Sequence, residues 1–129
     1  MAYEQIDPGD MRTYKANVDL SADQYRFVAI VATDSVPPLC GLPSAGGGVA
    51  GVLQNAPSTG LAATVAAGGI SKVYAGAAIA AGDYVAAGAD GRALTATTGQ
   101  ERVGRALRAA SGAGIVIPVD LDAPGLGKA

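Results

Sequence analysis

Short apolar runs separated by turn-forming residues dominate the chain. The run Tyr25–Ala32 is rich in β-branched and aromatic residues, which is typical of a buried strand. Four similar runs are bounded by Gly, Asn, Pro or Ser. They span Val49–Gln54, Leu61–Ala66, Ile70–Ala75 and Ile115–Leu121. Strands at such close spacing predict an all-β fold, either a small β-barrel or a β-sandwich.

Two turns are predicted in the second half of the chain. The pair Asp90–Gly91 lies between apolar runs and suits a type I′ hairpin turn, in which both central residues need positive φ. The pair Gly82–Asp83 predicts a tight corner leading into that hairpin. Residues 76–89 and 102–110 are rich in alanine, but interrupting glycines cost about 1 kcal/mol each in a helix interior. Strand or irregular structure is favoured there.

The two ends of the chain differ from its centre. The first residues are polar, with a turn pattern at 7–10 and isolated apolar residues around it. They predict an extended N-terminal arm over residues 1–20, which would become ordered on a partner or at a subunit interface. A β domain is then expected over residues 21–122. Proline and glycine predict a mobile C-terminal tail over residues 123–129.

Composition indicates a thin core. The chain of 129 residues is long enough for one domain, but it has no Trp and one Phe, so alanine and other small side chains must fill the interior. Each buried alanine removes little area from water, at about 25 cal/mol per Å². We therefore expect modest stability for an isolated copy and a gain from association with neighbours.

Charge excludes several partners. A net charge of −2 without a Lys and Arg cluster argues against nucleic acid. The triplet Arg102, Arg105 and Arg108 predicts a solvated face, with an inter-subunit salt-bridge row as the alternative. The stretch Ser35–Ser71 has no charge, but its prolines exclude a membrane helix, so it is expected to be buried or to lie against a partner. The N-terminus lacks the apolar run of a signal peptide, so a soluble, cytoplasmic product is expected.

Few residues favour catalysis or metal binding. The chain has no His, which removes the commonest general base and the usual nitrogen ligands of metals. Cys40 has no His to activate it and is predicted to be a small buried hydrophobe. The glycines at 46–48 lack the Lys that follows in a P-loop and predict a turn. Lys72 could be a carrier-domain lysine, but its β-branched run favours an ordinary strand lysine.

Paired carboxylates are the remaining candidates for chemistry. Asp7 with Asp10 and Asp19 with Asp23 predict turns, in which the carboxylates cap the backbone. Residues 120 and 122 are aspartates that alternate at a strand end and predict one solvated face. No catalytic residue, metal ligand or cofactor is therefore predicted.

Several small-residue motifs resemble a known family. They are Gly51–Gln54, Gly69–Val85, Ala89–Ala93, Val103–Leu107 and the opening Met1–Met11. In these segments the chain resembles the capsid decoration (cement) proteins of tailed bacteriophages and prophages. The resemblance implies a compact β domain, made in the host bacterial cytoplasm, that binds the outer surface of an icosahedral head as homotrimers. There it would clamp neighbouring major capsid protein subunits, without catalytic or cofactor residues.

The leading hypothesis is a self-associating capsid decoration protein whose N-terminal arm contacts the capsid. The residues expected to bind the partner are four apolar anchors and two cations: Tyr3, Ile6, Met11, Tyr14, Arg12 and Lys15. An alternative is a small β-barrel module that recognises a peptide or saccharide in an aromatic groove, with Tyr25, Phe27, Tyr74 and Tyr84. A third is an enzyme domain, which would gather Asp7, Asp10, Asp19 or Asp120 in one cleft.

Overall fold

The computed structural model describes residues 3–6 and 10–128, and every regular element in this range is a β-strand. The strands are β1 Met11–Ala16, β2 Phe27–Ala32, β3 Leu39–Gly41, β4 Gly51–Leu53, β5 Ala62–Ala66, β6 Ile70–Tyr74, β7 Tyr84–Ala87, β8 Ala93–Thr95, β9 Glu101–Arg102, β10 Gly104–Ala106, β11 Val116–Asp120 and β12 Gly127–Lys128. None of the described residues belongs to a helix that could cross a membrane. The predicted all-β fold class is confirmed.

The first five strands close into a small barrel in the order β1-β3-β2-β4-β5. Its neighbours are antiparallel except β1 and β3, which run parallel. Because successive side chains of a strand point to opposite faces, Val28, Leu53 and Val65 enter the barrel interior, where they pack with Leu20 and Cys40. Closure removes most free edges from this half.

The second half is a five-stranded sheet in the order β6-β11-β10-β7-β8. This sheet curls until its outer strands nearly meet, since Ala75 forms a bridge with Ala93 and the Gly76 N–H donates to the Ala93 carbonyl at 2.8 Å. A separate pair, β9 and β12, lies beside it. The edge of β8 is therefore covered by the chain that follows β6.

A second core joins the barrel to this sheet. Phe27, Val52 and Ala66 point out of the barrel and pack on a group from the sheet that includes Val73 and Ile117. Phe27 is fully buried, so the single phenylalanine of the chain lies at the junction of the halves. The remaining buried side chains are mainly alanine and valine, which confirms the predicted small-residue core.

The five predicted strands are confirmed with shorter bounds, as β2, β4, β5, β6 and β11. The corner is also confirmed, because Gly82 has φ of 89°. A hairpin joins β7 to β8 as expected, but its turn is not type I′. Of Asp90 and Gly91 only Gly91 has positive φ, at 82°. The Asp90 carboxylate instead accepts the Arg92 N–H at 3.1 Å, which stabilises a turn without positive φ at the aspartate.

The structure differs from the predicted N-terminal arm over residues 1–20. Residues 11–16 are strand β1, which pairs with β5 along its length from Met11↔Ala66 to Lys15↔Ala62. Upstream, Gln5 exchanges hydrogen bonds with Ile70 at the edge of β6. Long-range pairing thus includes most of this polar segment in the β domain. Residues 1, 2 and 7–9, with the predicted Asp7 turn, lie outside the described residues.

The expected mobile tail over residues 123–129 is also different in the structure. The Tyr84 hydroxyl donates to the Pro124 carbonyl at 2.7 Å, and a Cβ added at Gly125 would lie 2.7 Å from that hydroxyl oxygen. Beyond this contact β12 pairs with β9. Residues 123–128 are therefore docked on the second sheet, and Ala129 lies outside the described residues.

Candidate interaction surface

The hairpin that joins β2 to β3 carries the most exposed apolar side chain among the described residues. Val36 is 100 % exposed, and Ile30, Val31 and Leu42 are exposed near the base of the same hairpin. We call residues 33–38, between the two strands, the hairpin loop. Large apolar side chains grouped on a surface mark an interaction site more often than isolated ones do.

Two prolines explain why the hairpin loop does not join the barrel. Strand β3 pairs with β1 only at Lys15↔Leu39 and Ala16↔Cys40. The preceding Pro37 and Pro38 have no N–H to donate, so the ladder cannot extend towards the start of β1. A register shift between Ile30 and Ala32 in the partner strand adds a local irregularity. The loop is left against solvent.

A second exposed apolar group lies at one end of the barrel. Val18 follows β1, Leu42 follows β3 and Leu61 precedes β5, and all three side chains are exposed. The strand directions bring these positions to the same end, and the Ala16 N–H donates to the Leu61 carbonyl at 3.0 Å. We call Val18, Leu42 and Leu61 the apolar rim.

The six predicted partner-binding residues divide into two groups. Ile6 and Met11 pack on the core between the barrel and the sheet, and Tyr14 packs on the barrel core. Tyr3 is 44 % exposed. The last two residues, Arg12 and Lys15, are exposed on β1. Three of the predicted apolar anchors therefore contact the interior of their own chain.

Lys15 connects β1 to the hairpin loop, for which the sequence offered only an indirect signal. Its N–H donates to the Pro38 carbonyl at 3.0 Å, so β1 and the hairpin loop are neighbours. No residue of the hairpin was among the predicted partner-binding residues. The available signal was the absence of charge from Ser35 to Ser71, a stretch that now includes most of the loop and strands β3, β4 and β5.

The arginine triplet is partly structural. The guanidinium groups of Arg102 and Arg105 lie 5.2 and 5.4 Å from the ring centre of Tyr84, which are cation–π distances. The hydroxyl of that tyrosine holds Pro124, so two of the three arginines support the docked tail. Arg108 is exposed, as predicted for a solvated face.

The aspartate pairs stabilise turns. The Asp19 carboxylate accepts the Ser21 N–H at 3.0 Å, and hydrogen bonding by Ser21 lowers the pKa of Asp19. Asp23 forms an ion pair with Arg26 at 3.5 Å. The predicted backbone capping is confirmed for Asp19, whereas the Asp23 carboxylate pairs with a side chain.

At the other end of the chain Asp120 accepts the Asp122 N–H at 2.9 Å, and Asp122 accepts the Gly69 N–H at 2.7 Å. A Cβ added at Gly68 would lie 2.9 Å from carboxylate oxygens of Asp10 and Asp122, so these two side chains converge there. Within the described residues no three His, Cys, Asp or Glu side chains are grouped to hold a metal ion.

The remaining chemical candidates have structural roles. Cys40 is buried, and burial raises the pKa of its thiol, which disfavours the nucleophilic thiolate. Lys72 lies within β6, with its ammonium nitrogen 5.6 Å from the ring centre of Tyr25, as expected of a strand lysine. Of the glycines at 46–48, the first two belong to a turn in which the Gly47 N–H donates to the Ser44 carbonyl, and the Gly46 N–H donates to the Ala87 carbonyl.

The expected aromatic groove is not formed by the predicted residues. Phe27 is fully buried, and the Tyr84 ring lies within cation–π distance of Arg102 and Arg105. Two clefts of about 230 and 260 Å³ share the lining segment 48–50, and neither is lined by an aromatic side chain. The peptide or saccharide module therefore has no structural support here.

The described residues form a barrel and a curled sheet, and the exposed apolar hairpin on the barrel is a candidate interaction surface. The model of the phage cement protein family matches residues 6–121, and the chain belongs to this family. The resemblance seen in the sequence is thereby confirmed, and the chain is a capsid-associated structural protein of a phage. No curated protein matches the chain.

A solved structure shows the same fold. The N base of head fiber gp8.5 in bacteriophage phi29 superposes with a TM-score of 0.71 at 19 % sequence identity. The match covers 87 % of this chain and 92 % of that chain. The fold of a phage head protein is therefore shared across nearly the whole of both chains.

Proposed function

We propose that this protein is a capsid decoration protein that binds the outer surface of an icosahedral phage head. In this role it stabilises contacts between major capsid protein subunits. The family match over residues 6–121 supports this role. The observation that carries the proposal is the concentration of exposed apolar side chains on the barrel, at the hairpin loop and the apolar rim. A non-enzymatic role agrees with the interior positions of the candidate nucleophile and the turn contacts of the carboxylates.

The hairpin loop is the proposed centre of the contact. Val36 exposes its whole side chain, and the loop contains a single charged residue, Asp34. Burying an apolar side chain against a partner gives about 1.5–3 kcal/mol at best, so one such contact is weak. Repetition by the symmetry of a shell, and by self-association as a homotrimer, would raise the total through avidity. Tyr3, Arg12 and Lys15 are proposed as additional exposed contacts.

The test compares two exposed apolar sites in opposite halves of the molecule. Val36→Asp places a carboxylate in the proposed interface, where desolvation without a partner costs several kcal/mol. We expect occupancy on expanded, undecorated capsids to fall at least tenfold, measured by co-sedimentation over a range of protein concentrations. Ile115→Asp is the matched control, because Ile115 is exposed on the chain leading into β11.

The control should bind capsids as the unchanged protein does. Equal binding by both variants and the unchanged protein would remove the hairpin loop from the interface. Failure of the unchanged protein to bind any capsid would overturn the decoration role. Deletion of residues 1–15 is unsuitable as a test, because it removes most of β1 and with it the β1–β5 pairing that closes the barrel.

A further inference from the structure

The backbone N–H and C=O groups of strand β1 point alternately to its two edges, one of which faces β5. The Ala67 N–H donates to the Asp10 carbonyl and the Ala16 N–H to the Leu61 carbonyl. Hydrogen-bonded pairs alternate along an antiparallel ladder, so the even-numbered residues of β1 bond to β5. The odd-numbered residues point their N–H and C=O groups to the opposite edge. Lys15 confirms this, because its N–H reaches Pro38 on that side.

The opposite edge is open at Thr13. Continuing the parallel ladder by one step would bring Pro38 to the Thr13 carbonyl and Val36 to the Thr13 N–H. Pro38 has no N–H, and Val36 points fully into solvent. Within the described part of the chain the Thr13 N–H donates to no protein acceptor. Thr13 is itself exposed, so this edge faces solvent.

The surroundings of the open edge select a type of partner. Arg12 precedes Thr13 and Lys15 lies two residues after it, and both side chains are exposed. The Arg12 guanidinium donates to the Met11 carbonyl at 3.3 Å. An incoming strand with Asp or Glu beside its pairing residues would complement the exposed Lys15 ammonium group.

We propose that residues 11–13 of β1 form a strand-addition site, at which an extended acidic segment of the major capsid protein pairs with the Thr13 backbone. This inference rests on the proposed capsid-binding function and specifies how binding occurs. Added strands obtain affinity from main-chain hydrogen bonds, and neighbouring side chains give specificity. The hairpin loop beside the edge supplies the apolar part of the same contact.

The test removes one hydrogen-bond donor without changing a side chain. Cys40 allows a synthetic segment of residues 1–39 to be joined to residues 40–129 by native chemical ligation. An ester in place of the Thr13 amide replaces its N–H by oxygen. Losing one such bond should weaken capsid binding roughly threefold to tenfold. The controls are the all-amide ligated chain and a chain with an ester at Val18, an exposed position after β1.

A second variant tests the same edge with a recombinant chain. Thr13→Pro removes the outward N–H and leaves the β1–β5 ladder intact, because proline is tolerated on an edge strand where the N–H faces solvent. Its ring also obstructs an added strand, so capsid binding should fall at least tenfold. Circular dichroism establishes that each chain is folded at the assay temperature.

Four results are distinguishable. Weaker capsid binding by both variants, with an unchanged oligomeric state in light scattering, supports the strand-addition site. Capsid binding within twofold of the all-amide chain overturns it and leaves the decoration role intact. Loss of self-association in place of capsid binding would make a second copy the occupant, and the proposal would be wrong. If the all-amide chain binds no capsid, the proposed function fails first and this inference fails with it.

Discussion

The barrel and the second sheet differ in what they expose to solvent. In the described residues, six exposed large apolar side chains lie between positions 18 and 61, whereas only Leu107 and Ile115 are exposed in the second half. Charge in the barrel half is confined to residues before Ser35, since Ser35–Ser71 has none, whereas the sheet carries the arginine triplet. The sheet is solvated on its charged outside, and the barrel retains the apolar surface that a partner would cover.

The difference also separates the roles of the two cores. The barrel core fixes the strands that present the hairpin loop, whereas the core around Phe27 attaches the barrel to the sheet. A docking surface requires a rigid support, because each mobile side chain loses entropy on binding. The sheet therefore supports the barrel structurally, even though the sheet itself exposes little apolar surface.

Phe27→Ala should have the largest effect, because it removes the fully buried aromatic ring that joins the two halves. We expect a loss of about 3–5 kcal/mol in the free energy of unfolding, the range for truncating a buried aromatic side chain. Urea denaturation followed by two spectroscopic probes measures it. Val18→Ala, at an exposed position, should change stability by less than about 0.5 kcal/mol. Two separate transitions in the unchanged protein would mean that the halves fold independently.

A substitution at the contact between the β7–β8 turn and the barrel should have a smaller effect on stability. A Cβ at Gly91 would lie 2.6 Å from the Phe27 carbonyl oxygen, and φ there is 82°. Gly91→Ala should therefore cost about 2–3 kcal/mol, from backbone strain together with displacement of the turn. Gly99 has a similar φ of 89° with nothing within 4 Å, so Gly99→Ala isolates the backbone term at about 1 kcal/mol. If urea denaturation gave the same loss of stability for both variants, the close contact between Gly91 and the Phe27 carbonyl would be contradicted.

Local sequence was sufficient for the strands with strong apolar runs. Tyr25–Ala32 and Ile115–Leu121 contain β-branched residues between turn residues, and these signals act within a few positions. Strand β1 has no such run: in Met11–Ala16 apolar, charged and polar side chains are mixed. It is a strand because β5, about fifty residues later, pairs with it. In β1, tertiary pairing outweighs the weak local strand propensity. The same holds for β12, which is a strand because it pairs with β9.

The candidate site was less accessible to sequence reasoning than the fold. The missing charge of Ser35–Ser71 indicated burial or a partner, but it could not separate the buried Cys40 from the exposed Val36. Which residues are buried and which are exposed depends on the point at which Pro38 ends the pairing of β3 with β1. That point is set by the register between two strands that are distant in sequence. The predicted apolar anchors Ile6 and Met11 pack on the protein's own core, because long-range pairing of Gln5 with Ile70 and of β1 with β5 holds them there.

The smallest predicted effect concerns the charges that connect the two halves. Arg26, immediately before the barrel strand β2, donates to the Asp90 carbonyl at 3.2 Å, and Asp90 forms an ion pair with Arg92 at 2.7 Å. Burial tends to raise the pKa of Asp90, but hydrogen bonds from Arg92 and the charges of Arg92 and Arg26 outweigh it and lower the pKa. The folded state therefore favours the carboxylate. Its contribution to stability is present above about pH 5 and is lost as the pH falls through the depressed folded-state value.

Asp90→Asn keeps an oxygen acceptor for the Arg92 N–H and removes only the charge. Because the Asp90 side chain is 45 % exposed, solvent screening limits the expected loss to about 0.2–1 kcal/mol at pH 7. The difference from the unchanged protein should shrink as the pH falls and vanish once the pH is below the depressed folded-state pKa of Asp90. Urea midpoints at several pH values measure it, with Asp34→Asn in the exposed hairpin loop as the control for net charge. A difference that stays constant from pH 7 to pH 3 would show that the amide disturbs the turn itself, and the electrostatic connection between the barrel and the sheet would then contribute nothing measurable.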